Sequence, residues 1–456
     1  MLRTGPAKRA YVETYGCQMN LSDGELMEGL LAARGYEIVR NPEEADVVLV
    51  NTCAIRDHAE TRVLGRVSQL NGLKREKPEL VIGVTGCMAQ RLGTTLLAQA
   101  PYVDLVMGPD GYRSLPEALE RIASRRASRA GTQLAVLELD ATENYQGLEQ
   151  RRAEGPVAWV PVQRGCDHRC TFCIVPYVRG PEKNRDAADV IAEVEGLVAG
   201  GVSEVTLLGQ TVNSYRSGEM TFPVLLRRIA RLPGIRRVRF TSPHPNDVTP
   251  ELVEVMAEEP SVCEHLHLPA QSGSDRTLKR MLRRYTVAEL MQKVELVREA
   301  VPDVAISTDI IVAFPGETDA EFRETLDLMR TVRFDEAYTY KYSMRDGTPA
   351  ARLPAEEFLG AEEAQARLAE LIAVSRGIAA EINAGEVGRV EEVLIERPGR
   401  REGQLLGHTR RNKVVSFEGD ASRVGLYTRV ELCSTSGATF SGAEVTAVTP
   451  ATAATA

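Results

Sequence analysis

The first third of the chain alternates short apolar runs with longer amphipathic segments. The runs YVETY, DVVLVNT and LVIGVTG are each followed by a segment in which apolar residues recur at helical spacing. Strands that alternate with helices in this way build a parallel sheet covered by helices. The pattern therefore predicts an α/β domain with a parallel sheet at residues 8–125.

A cysteine follows each of these three strands, namely Cys17, Cys53 and Cys87. The carboxyl ends of parallel strands lie at one edge of a sheet, where open α/β sheets bind ligands. Three thiolates at that edge indicate a bound metal centre. The alternative is a repeated βαβ unit in which the three cysteines are core residues.

The middle of the chain, residues 152–383, continues the alternation with the apolar runs VAWVPVQ, EVTLLGQ, RVRFTS, EHLHLP, VAISTDIIVAF and EAYTYKYS. Six strand–helix units favour an incomplete (β/α)6 barrel. In such barrels the carboxyl ends of the strands carry the active site. Polar residues gather at these ends: Gln210, Asn213, Ser242, His244, Gln271, Ser272, Ser307 and Asp309.

A CxxxCxxC loop follows the first of these strands and contains Cys166, Cys170 and Cys173. A short loop can bring three thiolates to three corners of a cubane iron–sulfur cluster, so that the fourth iron has no protein ligand. An open coordination position is typical of a reactive metal site. The alternative is a zinc knuckle completed by His168, which is poorly placed for that role between two of the cysteines.

From residue 384 to residue 450 the helical spacing stops. Short strands separated by glycine and charged turns follow, namely VEEVLIE, GQLLGHTR, KVVSF, YTRVELCS and GAEVTAV. This pattern predicts a small antiparallel β-barrel.

Composition narrows the class of protein. A chain of 456 residues, 43% hydrophobic and 26% charged, can bury two or three cores. Eight cysteines without a secretion signal favour metal or redox chemistry in the cytoplasm over disulfides, and no run is long enough to span a membrane. A net charge of −9 argues against nonspecific coating of nucleic acid. We expect the remaining cysteines, Cys263 and Cys433, to be core thiols.

Several motifs together resemble those of the radical S-adenosylmethionine (SAM) methylthiotransferases over nearly the whole chain. They are TYGCQMN, NTCAIR, VTGCMAQ, RGCDHRCTFCIVPYVRG, LLGQTVNSY, FTSPHP, LHLPAQSGSDRTLKRM, STDIIVAFPGET and GHTRRNKVV. The resemblance is strongest to the branch that acts on N6-isopentenyladenosine beside the anticodon of transfer RNA. Two residues depart from that branch: Asn184 replaces a serine and Ala313 replaces a glycine.

The resemblance implies two 4Fe–4S clusters. The cluster on Cys166, Cys170 and Cys173 would bind SAM, and an auxiliary cluster on Cys17, Cys53 and Cys87 would hold the sulfur that is transferred. The clusters and SAM carry the chemistry, so no catalytic side chain is assigned. The SAM contacts would come from strand ends, namely Gln210, Asn213, Gln271, Ser272, Ser307 and Asp309.

The carboxyl-terminal barrel resembles the TRAM module, which binds RNA. Its phosphate contacts would be His408, Arg410, Arg411 and Lys413. A second candidate surface is the helix RTLKRMLRRY with Arg276, Arg280, Arg283 and Arg284, for which an ordinary solvated face is the alternative.

The implied partners are a transfer RNA that carries isopentenyladenosine and an electron donor such as a flavodoxin or ferredoxin system, acting on a monomeric enzyme. The sulfur source stays open. Other substrates within the family are threonylcarbamoyl adenosine in transfer RNA and an aspartate of a ribosomal protein. Outside the enzyme class, the alternative is an iron–sulfur protein that binds RNA or carries clusters.

Overall fold

A computed structural model of the chain describes residues 7–54, 57–128, 133–148, 150–152 and 155–445, without the side chains of 57–61. Ile55 and Arg56 of the NTCAIR motif lie outside the described residues, as does the end of the last predicted strand with the predicted boundary at 450.

The amino-terminal domain contains a six-stranded sheet in the order β2-β1-β3-β4-β5-β6, in which every pairing is parallel. Its strands are β1 (Arg9–Thr14), β2 (Glu37–Ile38), β3 (Val47–Thr52), β4 (Val81–Gly86), β5 (Leu105–Met107) and β6 (Leu134–Val136). Its helices are α1 (Gln18–Ala33), α2 (Asp57–Asn71), α3 (Cys87–Leu92), α4 (Thr94–Gln99) and α5 (Leu115–Ala127).

Every residue of β3 is buried, because apolar clusters cover both faces of the sheet. The predicted parallel sheet is confirmed. The sheet also extends past residue 125, since β6 pairs with β5.

The central domain forms a partial barrel from two three-stranded parallel sheets, β7-β10-β13 and β14-β15-β16. A single bridge from Val238 to Val262 joins the two sheets. These strands are β7 (Val157–Pro161), β10 (Glu204–Leu208), β13 (Arg237–Phe240), β14 (His265–His267), β15 (Ala305–Val312) and β16 (Glu336–Lys341). Short pairs are formed by β8 (Gln163–Arg164) with β9 (Lys183–Asn184) and by β11 (Arg216–Ser217) with β12 (Met220–Thr221).

Helices cover the outside of this partial barrel and bury the outward side chains of its strands in the largest apolar cluster. They are α7 (Ala187–Ala199), α8 (Phe222–Ala230), α9 (Pro250–Glu258), α10 (Asp275–Arg280), α11 (Val287–Ala300), α12 (Asp319–Val332) and α13 (Ala361–Glu386). The short helix α6 (Val175–Val178) instead packs towards the amino-terminal domain. The predicted incomplete (β/α)6 barrel is confirmed.

The carboxyl-terminal module is a closed five-stranded barrel in the order β17-β18-β19-β21-β20. Its strands are β17 (Val390–Pro398), β18 (Gln404–Thr409), β19 (Val414–Glu418), β20 (Tyr427–Ser436) and β21 (Thr439–Glu444). All pairings are antiparallel except the one between β19 and β21.

Of the two remaining cysteines, Cys263 is buried as expected. The expectation for Cys433 is wrong, because its side chain is exposed. Val430 and Leu432 of β20 are buried, so the alternation of side chains along the strand places Cys433 on the outer face of the barrel. In the described part of the chain, no helix has both the length and the apolar character that crossing a membrane requires.

Candidate functional site

The sheet order brings the first cysteine triad together. Strands β1, β3 and β4 are direct neighbours, so the residues that follow them share one edge of the sheet. Cys17 immediately precedes α1, Cys53 follows β3, and Cys87 is the first residue of α3. Topology thus places three residues that are far apart in sequence at a single site, as the spacing predicts.

Two asparagines brace the loops that carry these cysteines. Asn20 Nδ2 donates to the Thr52 carbonyl at 3.1 Å, and Asn51 Nδ2 donates to the Asn20 carbonyl at 2.7 Å. The Cys17 thiol in turn donates to Asn20 Oδ1 at 3.2 Å. The asparagines of TYGCQMN and NTC therefore hold the first two cysteine loops in register.

A glycine is required just before the third cysteine. Gly86 has φ of +92°, and a Cβ there would lie 2.5 Å from both Asn51 Oδ1 and the Thr52 carbonyl oxygen. Any side chain would push the β4 end away from the β3 end and would separate Cys87 from Cys53.

The surroundings of this triad shift the pKa values of its thiols in different directions. A hydrogen bond from Cys53, with help from the nearby Arg179 cation, lowers the pKa of the Cys17 thiol to about 6. Burial raises the pKa of Cys87, and the guanidinium of Arg179 opposes that shift. Arg179 belongs to the central domain, so the charge that faces this triad comes from across a domain boundary.

The second triad lies on the loop between β8 and β9. Cys166 Sγ lies 3.3 Å from Thr211 Oγ1, beyond the end of β10. Arg283 Nη1 donates to Cys170 Sγ at 3.5 Å, and its Nη2 donates to the Pro269 carbonyl at 3.1 Å. Burial raises the pKa of Cys173 to about 12 and also raises that of Cys166, so a bound cation is needed to hold these groups as thiolates.

The two triads are neighbours. The side chains of Cys87, Ile174 and Val178 pack in one small apolar cluster together with Ala54. Ile174 directly follows Cys173, and only the single turn of α6 separates Cys173 from Arg179, which contacts Cys87. The sites therefore lie on either side of α6.

The spacing of the thiols does not suit a single ion. Bound to one zinc ion, thiolate sulfurs would lie about 3.8 Å apart. Among the described residues, the one group of three possible ligands whose donor atoms all lie within 4.8 Å is His168, His244 and Asp247. Neither cysteine triad meets that spacing, whereas a cubane binds each thiolate to a different iron and so holds the thiolates further apart.

His168 also fails to complete a zinc site in this geometry. Its ring stacks on that of His244 with centroids 3.9 Å apart and planes only 6° from parallel. The lone pairs of parallel stacked rings lie in separate planes, so they cannot both point at one ion between them. The stack instead packs the cluster loop against the loop after β13.

Left-handed residues mark the carboxyl ends of three successive barrel strands. Ser242 follows β13 with φ of 59°, Gln271 follows β14 with φ of 67°, and Ala313 follows β15 with φ of 57°. Such conformations are costly away from glycine and cluster at functional sites. They occur at the edge where the sequence predicts SAM.

The six predicted SAM contacts have different surroundings. Gln210 and Gln271 each carry a buried amide oxygen that has no partner among the described residues. The Asn213 amide is already used, because it bonds to both the backbone N–H and the carbonyl of His244. The Ser272 hydroxyl is fully buried and lies 3.3 Å from Thr325 Oγ1 on α12, which turns it away from the barrel mouth.

Ser307 and Asp309 point into the barrel and share a histidine. His267 Nδ1 lies 2.9 Å from Ser307 Oγ, and His267 Nε2 lies 3.3 Å from Asp309 Oδ2. His267 is not among the contacts predicted from the sequence. Its place in β14, two residues after His265, puts both side chains on the inner face of the strand.

The four predicted phosphate contacts of the carboxyl-terminal barrel lie instead at its junction with the rest of the chain. Arg410 forms a bidentate ion pair with Glu264, which lies just before β14, and its Nε is 2.7 Å from Glu264 Oε2. Lys413 contacts Asp335, just before β16, at 3.0 Å. The hairpin of β18 and β19 thus docks against the amino-terminal ends of the central strands, opposite the active-site edge.

Backbone contacts fix the same hairpin. Arg239 of β13 donates to the carbonyls of Thr409 and Arg410 at 2.7 and 2.8 Å. Arg411 is buried and pairs with both Glu386 and Glu391 at 2.8 Å, while His408 pairs with Glu396. All four side chains thus contact carboxylates in this structure, which does not favour an open phosphate-binding face, and their role as phosphate contacts stays a prediction.

The segment RTLKRMLRRY is helical only as far as Arg280, where α10 ends, so Arg283 and Arg284 lie beyond the helix. Its contacts favour the alternative of an ordinary ion-paired surface. Arg276 pairs with Glu321, Arg280 pairs with Glu357, and Arg283 is buried beside Cys170. Arg284 is solvent-exposed, and it forms no ion pair within 4.0 Å among the described residues. These charges therefore do not form one open basic face, because two are paired with acids and one contacts a cysteine of the cluster loop.

Comparison with known families agrees with this architecture. Residues 9–108 match uncharacterized protein family UPF0004, residues 160–329 match the radical SAM superfamily, and residues 385–432 match the TRAM domain. The fold and the CxxxCxxC loop therefore define a radical SAM enzyme with a TRAM module, a class that uses a 4Fe–4S cluster and SAM. A solved structure of a radical SAM methyltransferase, TsrM from Kitasatospora setae, shares the fold with a TM-score of 0.57 at 15% identity, over 76% of this chain and 75% of that one.

Curated relatives narrow the class to one family. A protein from Carboxydothermus hydrogenoformans is 43% identical over 93% of this chain and 96% of its own length. Another from Geotalea uraniireducens is 44% identical over 92% of this chain and 94% of its own. Both are named tRNA-2-methylthio-N(6)-dimethylallyladenosine synthase, and this chain belongs to their family.

Proposed function

We propose that this protein attaches a methylthio group to C2 of N6-isopentenyladenosine beside the anticodon of transfer RNA. The relatives that carry the corresponding name match nearly the whole chain. The observation that carries the proposal is the adjacency of two three-thiol sites across α6. A reaction that both activates a carbon and delivers sulfur to it needs two such centres within reach of one base.

The residues fit two cubane clusters. Cys166, Cys170 and Cys173 would hold the cluster that binds SAM, and the sheet-edge triad would hold the auxiliary cluster. Each triad offers three thiols and so would leave one iron open. Bound to the reduced cluster, SAM supplies a radical strong enough to take hydrogen from an unactivated ring carbon.

Side chains at the barrel mouth would orient SAM. The partnerless amide oxygens of Gln210 and Gln271 can accept hydrogen bonds from its ammonium or ribose hydroxyl groups. Ser307 and Asp309 would form the inner wall, with His267 holding their oxygens in place. Asn213 and Ser272 would position neighbouring residues and would not contact SAM, since their side chains already bond to His244 and Thr325.

Exposed apolar side chains flank both triads and suit an inserted base. Leu21 lies in the first turn of α1 after Cys17 and is 45% exposed, and Tyr177 lies on α6 and is 48% exposed. Apolar and aromatic surfaces of this kind hold an extruded base by stacking. The partners would be a transfer RNA that carries isopentenyladenosine and an electron donor such as a flavodoxin or ferredoxin, and the enzyme would act as a monomer.

The test is a reaction with anaerobically reconstituted protein, SAM, dithionite and isopentenylated transfer RNA, followed by mass analysis of the nucleosides. We expect the methylthio mass increase on isopentenyladenosine. Transfer RNA with unmodified adenosine or with threonylcarbamoyl adenosine, and a ribosomal protein with a candidate aspartate, serve as competing substrates. Product on one of these but not on isopentenyladenosine would overturn the assignment. A variant with alanine at Cys17, Cys53 and Cys87 should cleave SAM without transferring sulfur.

A further inference from the structure

A cluster of buried charges joins the amino-terminal domain to the central domain. Asp23 of α1 is 2% exposed and accepts a hydrogen bond from Arg179 at 2.7 Å. Arg164 contacts the other oxygen of Asp23 at 3.5 Å and stacks on the Tyr145 ring. Two guanidinium groups of the central domain thus converge on one carboxylate beside the sheet-edge cysteines.

Arg179 divides its donors between the carboxylate and a thiol. Its Nε donates to Cys87 Sγ at 3.1 Å, and its Nη2 donates to Asp23. Its Nη1 is buried and has no partner among the described residues. A buried donor without an acceptor is destabilising, so this arrangement calls for an acceptor that the described side chains do not provide.

The chemistry of a cluster supplies what Arg179 needs. A cubane bound by three thiolates is anionic, and its sulfur atoms accept hydrogen bonds. Hydrogen bonds to the sulfurs and nearby charge are main determinants of the reduction potential of such clusters. A cation stabilises the reduced, more negative state more than the oxidised state, and therefore raises the potential.

We propose that Arg179 is a positioning residue that raises the reduction potential of the auxiliary cluster by donating to Cys87 from the central domain, with Asp23 holding the guanidinium in place. This inference rests on the proposed auxiliary cluster. Because the donor and the thiol come from different domains, the auxiliary site acquires its working potential only when the two domains are docked.

A structural role for Arg179 is the competing explanation, and a second buried ion pair provides the control. Lys183 of the central domain contacts both carboxylate oxygens of Asp110 in the amino-terminal domain at 2.7 Å, and both side chains are at most 3% exposed. Lys183→Met therefore breaks a comparable interdomain contact without removing a donor to any cysteine.

The experiment measures the midpoint potential of the auxiliary cluster by electron paramagnetic resonance. It uses the full chain with alanine at Cys166, Cys170 and Cys173, so that the signal comes from the auxiliary cluster alone. Arg179→Gln should shift the reduction equilibrium at least tenfold towards the oxidised state, which is about 59 mV for one electron. Arg179→Lys keeps the charge and should shift it less, and Lys183→Met should leave it unchanged.

Cluster occupancy keeps the test decisive if a variant binds iron poorly. Loss of the auxiliary cluster from Arg179→Gln, with retention in Arg179→Lys and Lys183→Met, supports the proposal. An unchanged potential in fully loaded Arg179→Gln, or equal effects of Arg179→Gln and Lys183→Met, overturns it. A parent protein that binds no auxiliary cluster would instead contradict the proposed function, so the two failures are distinguishable.

Discussion

The junction of the carboxyl-terminal barrel makes a quantitative prediction for Arg411→Met. The substitution keeps much of the side-chain volume but leaves Glu386, whose side chain is 5% exposed, without its cation. Removing one partner of a buried ion pair costs about 3–5 kcal/mol. We expect the lower end, about 3 kcal/mol, because the second partner, Glu391, is more exposed and also lies 4.0 Å from Arg389.

Hydrogen exchange of the full chain measures this local loss more directly than global unfolding, which is not two-state in a multidomain protein. A loss of about 3 kcal/mol should speed exchange of the β18 and β19 amides by roughly a hundredfold. Adding Glu386→Gln should restore part of the protection, because it removes the unpaired buried charge. Arg401→Met, at an exposed cation in the same module, should change stability by less than about 0.5 kcal/mol.

The same variant separates the two roles considered for this hairpin. A phosphate contact would leave exchange unchanged, weaken transfer RNA binding and reduce the slope of its salt dependence by about one. That outcome for Arg411→Met would refute the reasoning from burial and support the prediction of a phosphate contact.

Three further predictions concern the rest of the chain. Ala313→Gly should stabilise the carboxyl end of β15 by about 1 kcal/mol, because φ of 57° is unfavourable for a residue with a Cβ; hydrogen exchange of the amides there that does not slow would contradict this. Asp23→Asn should destabilise the domain junction by about 3 kcal/mol, because two buried guanidinium groups lose their counterion; limited proteolysis between the domains checks it, and unchanged cleavage would argue against it. Alanine at all three sheet-edge cysteines, Cys17, Cys53 and Cys87, should halve the iron content of reconstituted protein. An unchanged iron content would contradict the proposed auxiliary cluster.

Several features follow from the sequence alone because they depend on local pattern and chain topology. Cysteines that follow successive parallel strands must share a sheet edge, whatever the details of packing. The short spacing of the CxxxCxxC loop confines its thiols to one place. The alternation of strands and helices likewise determines the partial barrel and the edge that carries its site.

The roles of the charged residues were decided only by tertiary structure. Arg283 and Arg411 stand in basic stretches and Arg179 follows an apolar turn, yet Arg283 contacts Cys170, Arg411 neutralises acids and Arg179 contacts Cys87. The motif RGCDHRCTFCIVPYVRG contained Arg179 but gave no sign of its partner, which lies 92 residues away. A cation interacts with whichever acceptors the fold brings to it, and burial then sets the strength of that interaction, so its role is a property of packed surfaces and not of neighbours in the chain.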